Sequence, residues 1–272
     1  MRSAARGARL ADSGSAPPAI VGFCNRVATL WLVELRKISH DRTELFTRAI
    51  QPALWLLIFG ETFTRLHAIP TGGVPYLDYL APGIMAQSAL FIAIFYGVQM
   101  IWERDAGILA KLMTTPTSRG ALVIGKAFAA GVRASSQVIV VLLLSLLLGV
   151  HFDWNPLHLL LVLFLVLLGV GFFTTLSISV AGLALKQERL IGIGQAITMP
   201  LFFGSNALYP VRLMPGWLQV VSHVNPLTFM VDGLRSALLG VSGHVALDVV
   251  VLAGWLAVGV STAAGLMPRL VR

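Results

Sequence analysis

Residues 158–183 read HLLLVLFLVLLGVGFFTTLSISVAGL, with no Asp, Glu, Lys or Arg among them. As a helix at 1.5 Å per residue this run is about 39 Å long, longer than the ~30 Å hydrocarbon core of a bilayer. In lipid a lone segment must satisfy its own backbone, so it crosses as a helix. The remainder of the chain agrees. Of its 272 residues, 57% are hydrophobic and 12% charged, against about 25% charged in a soluble domain. An ordinary soluble enzyme and a disordered chain are thereby excluded. A single cysteine, Cys24, excludes a disulfide scaffold.

Five more stretches are long enough to cross, so the reading is an all-α polytopic membrane protein. Its six spans fall at about 46–65, 79–101, 128–150, 158–183, 190–209 and 245–267. Arg48, Pro52 and Glu61 punctuate the first, and Arg133 sits near the inner mouth of the third. Residues 1–19 are small, polar and basic, with Pro17 and Pro18 as breakers. They read as a disordered cytoplasmic tail, because no apolar core of signal-peptide type follows the arginines. Between 20 and 41 the apolar residues Ile20, Phe23, Val27, Leu30, Trp31, Leu35 and Ile38 recur at steps of three and four. Arg26, Glu34, Arg36 and Lys37 interrupt them, which predicts an amphipathic helix lying in the interface. A single membrane domain therefore runs from 20 to 268.

Charge sets the orientation. With the N-terminus inside, the inner segments hold sixteen of the twenty Lys and Arg, and only Arg65, Arg212 and Arg235 fall outside. Basic residues gather on cytoplasmic loops, so both termini are expected in the cytoplasm and the chain in the cytoplasmic membrane. The same asymmetry accounts for the net charge of +8 through lipid headgroups, without nucleic acid. Trp102, Trp154 and Trp217 lie at span ends or just beyond, where interfacial anchors belong.

Two segments break the pattern. In WERDAGILAKLMTTPTSRGALVIGK, residues 102–126, the stripe Ile108, Leu109, Leu112 and Met113 is surrounded by Glu103, Arg104, Asp105 and Lys111. Thr115-Pro116 ends it. A short cytosolic helix over 103–113 is predicted, either a passive connector or an element that docks in a partner's groove. Gly120 to Lys126 imitates a phosphate loop, but Ala127 stands where the Mg²⁺-binding hydroxyl belongs and no strand precedes it. No cofactor is therefore expected in this chain. The other segment, 209–243, is too polar to span and too apolar for a free loop. It predicts two short outer helices, the second opened by Asn225-Pro226, with Asp232 and Arg235 spaced to pair on its surface. A lid over an exit is the functional alternative.

Other polar residues carry less. Glu61 and Arg65 are spaced as an interfacial ion pair. His151, Asp153 and His158 could suggest a metal, but solvated turn residues are the better reading, and no metal site is assigned. Ser205 beside Gly204 would suit a hydrolase only with an adjacent base, and no span core contains a histidine. No catalytic residue is assigned. Phe172, Phe173, Phe202 and Phe203, with Met199, could line a substrate path or simply pack.

Together these features resemble the type-2 ABC exporter permeases, over nearly the whole chain from about residue 20. Glu103, Arg104, Asp105, Gly107, Leu109, Leu112, Thr115, Pro116, Ser118 and Arg119 fit the family's loop pattern E-R-[DE]-x-G-x-L-x-x-L-x-x-T-P-x-[ST]-R in register. In detail the chain looks most similar to the drug- and antibiotic-exporting, daunorubicin-resistance-type branch; polysaccharide exporters share the architecture. The resemblance implies a separate ATPase subunit that binds ATP and Mg²⁺, and a second permease half, identical or related. It makes 103–113 the coupling helix, with Glu103, Arg104, Asp105, Gly107, Leu109 and Leu112 facing that ATPase. It puts Ala53, Leu56, Met199, Phe202 and Phe203 near the path and Asn225, Pro226, Asp232 and Arg235 at an outer gate. A non-transporting membrane scaffold is the alternative from another class.

Overall fold

The computed structural model of the chain describes residues 42–66, 69–113, 119–241 and 243–271. The expected tail and interfacial helix before residue 42 lie outside the described residues. So does the Thr115-Pro116 stop.

An unbroken helical rod comes first: α1 (Arg42–Leu54), a π-helical stretch (Trp55–Gly60) and α2 (Glu61–Leu66). Then follow α3 (Tyr76–Asp105), α4 (Ile108–Met113), α5 (Arg119–Leu147), α6 (Pro156–Ala184) and α7 (Gln187–Phe203). A 3₁₀ turn (Val211–Leu213) leads into α8 (Gly216–Val224), α9 (Pro226–Leu239) and α10 (Val245–Val271). Among the described residues every regular element is helical. Four helices among the described residues, α3, α5, α6 and α10, are long and apolar enough to cross a membrane.

Local chemistry places the ends. The side chain of Asn155 accepts from the N–H of Leu157, with Pro156 at the first helical position of α6. Asn225 and Pro226 open α9 by the same device, Asn225 capping the N–H of Leu227. Both exploit a position where proline's missing N–H costs nothing.

The apolar α6 is central, packing on α10, α3 and α5. One large core joins α3, α5, α6 and α9; a second, at the α4 end, gathers Ile101, Leu109, Val123, Ile178, Leu190 and Met267. α10 is the outlier. Its apolar window is 17% buried, against 56–61% for the other three, so it lies on the rim of the bundle.

Three boundaries differ from the sequence reading. The span expected to stop at 101 continues as helix to Asp105, because charged Glu103, Arg104 and Asp105 are no barrier to a helix leaving the membrane. Its end is set instead by Gly107, whose φ of 71° favours a residue without a Cβ. The predicted 103–113 helix is thus two pieces: the last turn of α3, and α4. The fifth span, expected over 190–209, is the 17-residue α7, and residues 204–208 are turns. At 1.5 Å per residue α7 covers about 26 Å, short of a full hydrocarbon core. The unwound stretch lies flat against α3 at Gly83, where a Cβ would come within 2.3 Å of the Ala207 carbonyl oxygen.

Candidate functional site

At the α4 end the charged residues divide into two groups. Glu103 is largely buried and turned inward, holding Lys126 of α5 in an ion pair and accepting from Gln99 Nε2 at 3.2 Å. Arg104 and Asp105 pair with each other at 2.7 Å near the surface. Leu109 is fully buried in the chain's own second core, whereas Ile108 is 48% exposed, beside exposed Ala110 and Lys111. The expected apolar docking stripe is therefore divided: Leu109 anchors α4, and Ile108 with Lys111 face outward. The side chain of Leu112 lies outside the described residues.

Glu103 and Lys126 clamp α3 to α5 at the point where the chain turns into α4. Replacing Glu103 by Gln leaves a buried ammonium without its counter-charge, so a loss of about 1–3 kcal/mol is expected. Thermal unfolding of Glu103→Lys, Lys126→Glu and the double variant checks this. Partial recovery in the double variant is the signature of a direct pair.

Gly120 to Lys126, the phosphate-loop imitation, forms the first two turns of α5, with Lys126 engaged by Glu103.

The densest polar constellation sits at the opposite end. Arg235 of α9 is 7% exposed and does not lie on the helix surface as expected. Its guanidinium stacks 3.7 Å from the Tyr79 ring centroid. It donates to the backbone oxygens of Asn206 at 3.1 Å and Tyr79 at 3.3 Å, and to Asp232 Oδ1 at 3.3 Å. Asn206 Nδ2 also donates to Asp232. The Tyr79 hydroxyl donates to the Asn206 oxygen and that of Tyr76 to the Leu208 oxygen, each at 3.1 Å. Asn225 Nδ2 donates to the Leu201 oxygen at 2.7 Å. These donors answer the carbonyls freed where α7 unwinds, the condition for irregular backbone among membrane helices. The expected gate residues Asn225, Pro226, Asp232 and Arg235 thus form a packed brace. Sequence reasoning missed Tyr79 and Asn206 as its members; the polar Gly204-Ser205-Asn206 inside an apolar run was the available signal.

The expected path residues do not share one surface. Leu56 and Phe202 are buried, Phe202 with its ring edge-on to Trp55 at 5.4 Å. Met199 and Phe203 are exposed, at 45% and 44%, and Ala53 is intermediate. Along the first rod Ile50, Leu54, Leu57 and Ile58 form a matching exposed apolar face.

The remaining candidates are local pairs. His158 Nδ1 lies 2.9 Å from Asp153 Oδ2 and His151 3.8 Å from Asp78, two separate contacts rather than one ligand set. Arg65 and Glu61 pair on the surface at 3.3 Å. Ser205 is buried and donates to the Phe202 oxygen at 2.7 Å, closing the end of α7.

An all-helical bundle with four spanning candidates, a short helix at one end and a braced re-entry at the other narrows the comparison with known proteins. Residues 25–239 match the family described as ABC-2 type transporter. The chain belongs to the ABC-2 type transporter family. A Cyanophora paradoxa protein named as a transport permease, ycf38, is 33% identical over 197 residues, 70% of this chain and 66% of that protein. The daunorubicin resistance ABC transporter permease DrrB1 of Streptomyces coeruleorubidus is 26% identical over 250 residues, 91% of this chain and 87% of that protein. Nodulation protein J of Neorhizobium galegae is 28% identical over 172 residues, 62% of this chain and 64% of that protein. The match thus spans just under two thirds of the first relative's length. As an ABC-2 chain with helices long and apolar enough to cross a membrane, the protein is an integral membrane protein.

Proposed function

We propose that this ABC-2 chain is the membrane half of an ATP-driven exporter, carrying a hydrophobic or amphiphilic substrate out across the cytoplasmic membrane. A separate nucleotide-binding subunit, holding ATP and Mg²⁺, docks on α4, and a second permease half, identical or related, completes the path. In this reading the α1–α2 rod and α7 are the first and fifth of six spans, and both termini are cytoplasmic. The exposed apolar faces of the rod and α7, including Leu57, Met199 and Phe203, meet the second half or the substrate. Export of a glycan or lipid-linked glycan by the same architecture is the runner-up, and a scaffold without transport is the reading from another class.

The observation that carries the proposal is the division of α4: Leu109 is locked into a core shared with α3, α5, α6, α7 and α10, while Ile108 and Lys111 face outward. A force applied to the outward face passes through Leu109 into that shared core. Coupling requires the ATPase to interact differently with two states of this element.

Co-purification with the ATPase tests this. Ile108→Asp with Lys111→Glu is expected to abolish ATPase retention and efflux with little change in thermal stability, because both residues are exposed. Leu109→Ala is expected to cost about 2–5 kcal/mol of stability, as for other buried leucines. Retention of a stoichiometric ATPase by the Ile108/Lys111 variant would defeat the coupling role of α4. Failure of the native chain to retain any ATPase would favour the scaffold.

A further inference from the structure

Between α9 and the first turn of α10 lies a cavity of about 310 Å³, at the low end of ligand-pocket sizes. Its floor is polar, with Asp232, Arg235, Ser236 and Asp248, and its rim apolar, with half-buried Phe229 and Leu247 at 53% exposure. Asp232 is already occupied by Arg235 and Asn206. Asp248 is not. It is 4% exposed, lines the cavity, and its Oδ2 has no hydrogen-bond partner among the described residues. A buried carboxylate oxygen left so is costly unless a donor reaches it. Asp248 and its neighbour His244 also lie beyond residues 25–239, the stretch matched to the family.

We propose that this cavity binds a protonated amine, its ammonium donating to Asp248 Oδ2 and its apolar body resting on Leu247 and Phe229. The chemistry selects this class. Calcium and magnesium take six or more oxygen ligands, whereas the Arg235 guanidinium closes one side of the floor and Asp232 is engaged. The described residues contain no group of three or more metal-ligating side chains. An anion meets two carboxylates, Asp232 and Asp248, against the one guanidinium of Arg235. A single ammonium of up to three N–H donors neutralises the one uncompensated charge, and the volume admits a body of about ring size. Both a free amphiphilic amine and the phosphatidylethanolamine headgroup of the surrounding leaflet carry such an ammonium; the recognition chemistry is shared. Binding requires neither ATPase nor second half, so it stands independently of the transport reading.

Calorimetry on the full chain in phosphatidylcholine nanodiscs, whose headgroup has no N–H, provides the test. Phenethylammonium is expected to bind at least tenfold more tightly than the neutral 2-phenylethanol, as a charge-assisted hydrogen bond in a low-dielectric site implies. Asp248→Asn should erase that preference. Leu247→Ser, at an exposed rim position that folding does not depend on, should weaken both ligands together. With phosphatidylethanolamine added to the discs, a weaker apparent affinity for phenethylammonium assigns the site to the lipid headgroup, and an unchanged one to a free amine. Equal binding of amine and alcohol by the native chain overturns the proposal, as does a folded Asp248→Asn variant that keeps the preference.

Discussion

Replacing Arg235 by Met is expected to destabilise the protein by about 3 kcal/mol, near the low end of what breaking a buried ion pair costs. The lower end applies because Asp232 retains 44% of its side-chain accessibility, so solvent partly replaces its partner. The larger share of the loss comes from the backbone. The Asn206 and Tyr79 oxygens each lose a charged donor, a loss of about 1–3 kcal/mol, moderated at Asn206 by the Tyr79 hydroxyl that stays on its oxygen. Methionine fills similar volume, so packing over Tyr79 changes little. Lysine should rescue only in part, since an ammonium cannot stack on the ring and reach two carbonyls with a planar fork. Tyr79→Phe, which keeps the ring and removes one hydroxyl donor, should cost about 1 kcal/mol. Thermal unfolding of the purified chain ranks the three variants. An Arg235→Met protein within about 0.5 kcal/mol of native, the range of a neutral surface change, would mean the brace holds nothing.

Gly83→Ala is the second large effect. The added methyl would sit 2.3 Å from the Ala207 oxygen and 2.9 Å from its carbonyl carbon and Cα. All three are backbone atoms, so no rotamer change relieves the contact. The 204–208 stretch cannot simply retreat, because the Tyr76 and Tyr79 hydroxyls and Arg235 hold it from α3 and α9. Overpacking a side chain costs about 1–3 kcal/mol, and this collision should reach the top of that range or leave the chain misfolded. Gly120→Ala makes the matched control. Among the described residues nothing lies within 4 Å of its Cβ, and it sits in a helix, so it should be neutral or gain up to about 1 kcal/mol. Equal stability of the two variants would show that α3 and the unwound stretch do not touch as described.

Both effects concern a region that sequence could announce but not assemble. The span at 158–183 was legible because its apolar run needs nothing else to define it. Asn225-Pro226 as a helix start was legible for the same reason: cap and proline act within one turn. Gly83 carries no such mark, since what it admits is a backbone more than a hundred residues away. Arg235 could be seen with Asp232 at helical spacing, but its burial depends on Tyr79 and Asn206 arriving from other elements. Glu103 is the instructive case within the loop motif. The pattern marks it, yet its partner is Lys126 in the next helix, so the sequence motif mixes residues that hold the loop together with those that face outward. Hydropathy also set the end of the second span where charge begins, whereas a helix ends where the backbone is forced to turn, at Gly107.

The peripheral position of α10 bears on the order of assembly. A chain emerges from the ribosome from its N-terminus, so α10 reaches the bilayer after the other described helices. Until then the face of α6 carrying Phe172, Thr175, Ser179 and Gly182 lacks its α10 partners: Gly171 and Gly182 later meet Leu256 and Leu266, and Ser179 faces Thr262 at 3.4 Å. The central helix of the bundle therefore completes this packing only once α10 has been made. A newly made copy stalled before residue 245 would display hydroxyls and a glycine groove to lipid, a surface by which membrane quality control could tell unfinished chains from finished ones.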